Sequence, residues 1–378
     1  MSHDPSPMPA LRPWLARKWS EDVEEDLLEL KIEQVSRPKV GQSNETVLFT
    51  ATATRTDGHR LREDLVLRVQ PPPDGIFDEP DVVREARVLQ GLDRAAGVPV
   101  PRVRWVEPAS DLLGRPFFVM AQVPGRVPGA KPSIHSAGWL PTLSADERRT
   151  LWDSAMDTLV AVHQTDWRSD LDFLRQGGDA DHLAAHLRRL TGWYENTVRG
   201  RAYPITDAAL RWLHEGLPNL TPSESVLVWG DARVGNMLFG PDHRVAAALD
   251  WEVATVGPAQ IDVAHWLVFD EFATVSTPAL DGFPDKEASI EAYVSRSGRP
   301  LPDLDYYEVL QCFFLATTLI RQTDARVRVG DLDPSTTMGH GNVVTVLLAR
   351  RLGLTAPEIS ADYHRHRQDP AEQKEQPS

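Results

Sequence analysis

Between Val226 and Glu252 the chain reads VLVWGDARVGNMLFGPDHRVAAALDWE, and no other stretch limits its possible folds as strongly. Val226 to Trp229 is a short apolar run, the pattern of a buried strand, and Gly230 permits the turn that presents Asp231. Asn236 to Phe239 and Val245 to Trp251 read as two strands joined at Gly240-Pro241-Asp242-His243, a run of turn formers. The second strand returns Asp250 toward the loop that carries Asp231 and Asn236. One amide and two carboxylates converge, a set that suits phosphoryl transfer. That chemistry needs an acceptor for the attacking hydroxyl's proton and oxygen ligands for a hard cation.

The flanking sequence predicts where this segment sits. Glu45 to Arg55 and Asp64 to Gln70 are rich in Val, Leu and Thr and flank the turn signal Asp57-Gly58, so they predict an antiparallel pair. In the second strand Leu65, Leu67 and Val69 share one face, which leaves Val66, Arg68 and Gln70 on the other. A helix is predicted from Pro80 to about Ala95, with Val82, Ala86, Leu89 and Leu92 as its apolar stripe and Glu85 turned inward. Arg102 to Val106 and Pro116 to Ala121 predict two further strands. Gly125 to Thr142, rich in Pro and Gly, is expected to be a loop beside the cleft, acting as a lid. Helical spacing then dominates: Ser144 to His163, opened by a Ser144/Glu147 capping box, followed by Asp181 to Thr197, Asp207 to His214, Pro284 to Ser297, Asp305 to Thr323 and Thr337 to Leu352.

The expected class is α+β with two lobes. A small antiparallel sheet with one main helix covers 13–122, and a larger, mostly α-helical lobe covers 123–356. Residues 1–12 and 357–378 are polar and proline-bearing and are expected to lack fixed structure. Glu21 to Ile32 is expected to be helical from the spacing of Val23, Leu27, Leu28 and Leu30.

A length of 378 residues accommodates two packed lobes at about 100 to 200 residues per domain. No apolar run approaches the roughly 20 residues that span a bilayer, and the start lacks a basic segment followed by an apolar core, so a cytoplasmic location without membrane partners is expected. The formal net charge of -15 argues against nucleic acid as a partner and is compatible with a cationic substrate. The single cysteine, Cys312, lies in an apolar run and is expected to be a core thiol, and His364 and His366 are expected to be solvated tail residues.

The segment Trp229-Gly230-Asp231-Ala232-Arg233-Val234-Gly235-Asn236, followed by Leu249-Asp250-Trp251-Glu252, resembles the catalytic loop and metal aspartate of the protein-kinase-like superfamily. Within it, the chain is similar to the aminoglycoside phosphotransferase family, in the branch of kinase-like domains fused to acyl-CoA dehydrogenases. The resemblance implies ATP- and Mg²⁺-dependent transfer of the γ-phosphate to a hydroxyl of a small molecule, with Asp231 as base and Asn236 and Asp250 on the metal. It places Arg233 either at the transferring phosphoryl group or as a brace of the loop, and Asp262 at a helix start that caps or braces. Gly41-Gln42-Ser43-Asn44 resembles the family's G-x-S-N segment over the phosphates. Arg68 and Glu85 resemble the lysine and glutamate pair of kinases, and Met120-Ala121-Gln122-Val123 the hinge, where the Ala121 C=O and Val123 N–H would meet adenine.

Two departures stand out: Trp229 replaces the usual histidine and Arg68 the usual lysine. Tryptophan offers one donor and no acceptor, whereas arginine keeps the charge and can grip two oxygens at once. Three readings follow: a small-molecule kinase, an aminoglycoside O-phosphotransferase conferring antibiotic resistance, and a nucleotide-binding regulatory protein without turnover. The presence of Asp231, Asn236 and Asp250 together favours an enzyme. Glu252, Asp270 and Glu271 stand beside the apolar Trp251 and the run His265 to Phe269, which points to an acceptor less charged than an aminoglycoside. The oligomeric state is left open.

Overall fold

The computed structural model describes residues 7–36, 45–72, 75–129, 133–175 and 181–368. The chain opens with helix α1 (Met8–Val23) and strands β1 (Leu27–Ser36), β2 (Glu45–Arg55) and β3 (Arg60–Val69). Helix α2 (Val82–Ala95) and strands β4 (Val103–Glu107) and β5 (Phe117–Ala121) follow. The strands form one antiparallel sheet in the order β1-β2-β3-β5-β4. The helical lobe contains α3 (Ala145–Gln164), α4 (Trp167–Asp170), α5 (His182–Val198) and α6 (Pro204–Gly216). Four short strands interrupt it: β6 (Ser225–Val228), β7 (Met237–Phe239), β8 (Val245–Ala248) and β9 (Thr255–Pro258). It ends with α7 (Gln260–Thr274), α8 (Lys286–Ser297), α9 (Leu304–Arg328), α10 (Val343–Arg351) and α11 (Ala361–Gln368). This is a two-lobe α+β fold of the protein-kinase-like type.

The period of two in β3 sorts its residues as the sequence implies. Leu65, Leu67 and Val69 join a core with Leu11, Trp14, Leu15 and Trp19 of α1, while Val66 faces α2 and belongs to the core shared with the helical lobe. Asp81 caps α2 by accepting from Arg84 N at 2.8 Å, and the apolar stripe below it buries Glu85 at 3% exposure. The capping box of α3 is present at Ser144 and Glu147.

Three expectations are corrected. Residues 8–12, read as unstructured, begin α1, because Leu11, Leu15 and Trp19 recur on one face and bury against the sheet. Pro9 sits in the first turn, where no N–H is needed, while Pro13 lies inside the helix and removes one backbone hydrogen bond, a cost that the burial of this face outweighs. The helix expected over Glu21 to Ile32 is instead the end of α1 followed by β1. There Leu28, Leu30 and Ile32 alternate with Glu29 and Lys31, and β2 supplies the ladder partner. In the tail, α11 forms because Tyr363, at 2% exposure, anchors it in the helical core.

Trp14 meets Phe117 at 4.9 Å and Trp105 at 6.4 Å between ring centroids and donates to Glu107 at 2.7 Å. Trp14→Ala is expected to destabilise the protein by about 3 to 5 kcal/mol, measured by denaturant unfolding followed by tryptophan fluorescence and circular dichroism.

Candidate active site

Strand β6 pairs antiparallel with β9, Val228 opposite Thr255, and α7, which follows β9, reaches the loop that leaves β6 at Trp229 through a side chain of its first turn. Gly230 takes φ +90°, and a Cβ there would lie 2.8 Å from the Val253 carbonyl oxygen, so only glycine fits the turn that exposes Asp231. Helix α7 grips this loop through Asp262. Its fully buried carboxylate accepts the N–H groups of Trp229 and Gly230, each at 2.7 Å, and His163 Nε2 at 3.0 Å. Tyr293, whose hydroxyl burial keeps protonated, bonds His163 Nδ1 at 2.7 Å. Asp262 only accepts, so His163 Nε2 donates to it.

Asp231 is met by donors on both oxygens. Oδ1 lies 3.0 Å from Arg233 Nε and 2.8 Å from His265 Nε2, and Oδ2 lies 2.6 Å from Asn236 Nδ2. Burial pushes this carboxyl up, but the Arg233 charge and the bonds from His265 and Arg233 outweigh it and hold the group well below the usual carboxylate range. The Arg233 guanidinium lies 5.0 Å over the Phe269 ring, a contact between the loop and α7.

The β7–β8 hairpin pairs Met237 with Ala248, and Leu249 N bonds Asn236 O at 2.9 Å, which sets Asp250 beside Asn236. Asp250 takes φ +57°. Trp229 Nε1 donates to the carbonyls of Leu249 (2.9 Å) and Asp250 (3.1 Å), and its ring stacks on Trp251 at 5.2 Å. The tryptophan in the usual histidine position therefore clamps the strand end that bears Asp250. Arg68 Nη2 reaches both Glu85 (2.8 Å) and Asp250 (3.1 Å). Burial disfavours its charge, but Glu85, Asp250 and Glu252 outweigh that and keep the guanidinium above its ordinary range. Arg84 bonds the carbonyls of Glu252 (3.2 Å) and Ala254 (2.6 Å), tying α2 to the segment beyond Asp250.

The structure thus brings together Asp231, Arg233, Asn236, Asp250, Arg68 and Glu85. At the connector, Ala121 N bonds Arg102 O and Gln122 N bonds Asp64 O. Met120 packs opposite Val66, and the Val123 N–H has no protein acceptor among the described residues. Gly41, Gln42, Ser43 and Asn44 lie outside the described residues. Sequence reasoning missed His265, Gln311, His163 and Arg84. For His265 the signal was available, since it follows Asp262 by three positions on one helix and faces the same loop.

Residues 34–291 match the APH model, that of a phosphotransferase enzyme family. The chain belongs to this family. The phosphotransferase is 29% identical over 294 residues to acyl-CoA dehydrogenase family member 11 of Rattus norvegicus, a match covering 75% of this chain and 35% of that protein. It is 27% identical over 317 residues to family member 10 of Mus musculus, covering 80% and 27%. The chain spans about a third or less of the length of these curated relatives. Among solved structures it resembles a candidate aminoglycoside phosphotransferase from Ralstonia eutropha JMP134, with TM-score 0.61, 25% identity and coverage of 91% and 94%. It shares the fold of aminoglycoside phosphotransferase APH(4)-Ia in a ternary complex with ADP and hygromycin B, with TM-score 0.53, 14% identity and coverage of 90% and 99%.

Among the described residues, no helix is long and apolar enough to cross a membrane. The acids of α7 are not free charges: Glu271 pairs with Arg351, and burial pushes the Asp270 carboxyl up to about 7. Cys312 is buried and its thiol is pushed up to about 12 by burial. An unfolded aspartate titrates near about 3.9, so the folded state holds the Asp270 proton more tightly, and stability falls as pH rises from about 4 through about 7. Asp270→Asn is expected to remove that part of the decline, seen as a smaller difference in Tm between pH 5 and pH 8.

Proposed function

We propose that this phosphotransferase moves the γ-phosphate of ATP to a hydroxyl of a small molecule. The observation that carries the reading is the meeting of Asp231, Asn236, Asp250 and Arg68 in one cleft, on a chain that belongs to a phosphotransferase family. Asp231 receives the hydroxyl's proton, Arg233 braces the loop, and Arg68, held by Glu85, faces the phosphates. The hinge residues Met120, Ala121 and Val123 seat the adenine through backbone groups, and Gly41 to Asn44 cover the phosphates.

The residues fit Mg²⁺. The Asn236 amide directs its nitrogen to Asp231, which leaves its oxygen for a cation, and Asp250 is a partly exposed carboxylate beside it. Among the described residues no group of three or more His, Cys, Asp or Glu side chains is placed to hold a metal. Asn236 and Asp250 would hold the ion, with phosphate and water supplying its remaining ligands. Bound there, it would neutralise charge on the phosphates.

Asp231→Asn is expected to keep nucleotide affinity, measured by calorimetry, and to lose phosphate transfer by about 10² to 10⁴-fold. Asp250→Ala is expected to make nucleotide affinity independent of Mg²⁺. Retention of more than about a tenth of the transfer rate by Asp231→Asn contradicts the base assignment.

The acceptor is better matched to a partly apolar hydroxylated compound than to an aminoglycoside. With Glu271 neutralised by Arg351 and Asp270 raised by burial, α7 offers few free carboxylates for several ammonium groups. An ATP-consumption screen over hydroxylated metabolites and aminoglycosides tests this. Turnover of an aminoglycoside at kcat/KM of about 10⁴ M⁻¹s⁻¹ or more overturns it.

A further inference from the structure

Helix α7 is buried along residues 260–268, and Asp262 and His265 are its two ionisable side chains there. Three residues apart, they share a face toward the loop after β6. Asp262 holds the loop's backbone, and His265 holds its side chain. The His265 ring is fully buried, with Nε2 2.8 Å from Asp231 Oδ1 and Nδ1 3.0 Å from Gln311 Oε1 on α9. Phe269 at 4.8 Å and Phe314 at 6.1 Å box the ring in. So enclosed, it has no exposed surface to offer a nucleotide or an acceptor.

Asp231 is surrounded by donors, so it is a carboxylate that only accepts, and the proton of the shared bond sits on His265 Nε2. Two donors on Oδ1 stop the carboxylate from rotating and leave Oδ2, bonded to the Asn236 amide alone, as the oxygen for an incoming hydroxyl. Trp229 cannot share this task, because its single N–H is committed to the Leu249 and Asp250 carbonyls.

We propose that His265 is a positioning residue of the transfer reaction: fixed by Gln311, it orients the Asp231 carboxylate so that Oδ2 meets the hydroxyl being phosphorylated. This rests on the reading of Asp231 as the proton acceptor. A glutamine at 265 carries its amide nitrogen where histidine has Nε2, whereas an asparagine reaches only as far as Nδ1. His265→Gln therefore keeps the contact with Asp231, and His265→Asn keeps only the one with Gln311.

The test uses the full chain and MgATP hydrolysis, with water as acceptor and Asp231→Asn as reference. His265→Asn is expected to lose about 10²-fold in kcat with KM for ATP within about twofold, and His265→Gln to recover to within about threefold of wild type. Equal losses in the two variants, or an unchanged kcat in His265→Asn, overturn the inference when Asp231→Asn is inactive. Retained hydrolysis in Asp231→Asn overturns the base assignment itself and the inference with it. If circular dichroism shows His265→Asn unfolded, Gln311→Met carries the test. A loss of about tenfold in kcat at constant KM supports the inference, and an unchanged kcat overturns it.

Discussion

The site depends on one buried carboxylate. Asp262 has no exposure to water and is satisfied by two backbone N–H groups and one imidazole. A buried carboxylate without such partners is strongly disfavoured, so the loop must supply its amides for α7 to pack at all. The same bonds pin the loop at Trp229 and Gly230, and the positive φ of Gly230 then turns the chain that presents Asp231. Packing of the helix and presentation of Asp231 are thus one structural event.

From this anchor the other contacts follow in order. Trp229, held by its backbone to Asp262, uses its indole N–H to hold the end of the hairpin, which sets Asp250. Asp250 in turn meets Arg68 of the sheet lobe, and Arg84 of α2 grips the carbonyls just beyond it. A charged guanidinium between two carboxylates couples the lobes electrostatically across the cleft. The departures at Trp229 and Arg68 each keep a bond to the residue that the family pattern places on the metal.

Much of this was legible locally. Alternation in β3 told Arg68 from Leu67, the stripe of α2 turned Glu85 inward, and the spacing around Asp231, Asn236 and Asp250 needed only a strand, a turn and a hairpin. Other elements were not. The prolines of α1 read as disorder, and their effect is overridden by burial of Leu11, Leu15 and Trp19 against a sheet face that no local window contains. The same holds for β1, whose ladder partner decides between two periodicities, and for α11, which depends on one tyrosine reaching the core.

The sequence by itself determined the α+β class and the identity of the acid, amide and acid set, because each depends on periodicity and turn chemistry within a few residues. Only the tertiary structure decided which side chains brace that set. His265 meets Gln311 across 46 residues, His163 meets Tyr293 across 130, and Arg84 meets Glu252 across 168. A hydrogen bond requires contact to within about 3 Å, and sequence spacing carries no such distance once the partners lie on different elements. Packing of the elements supplies it.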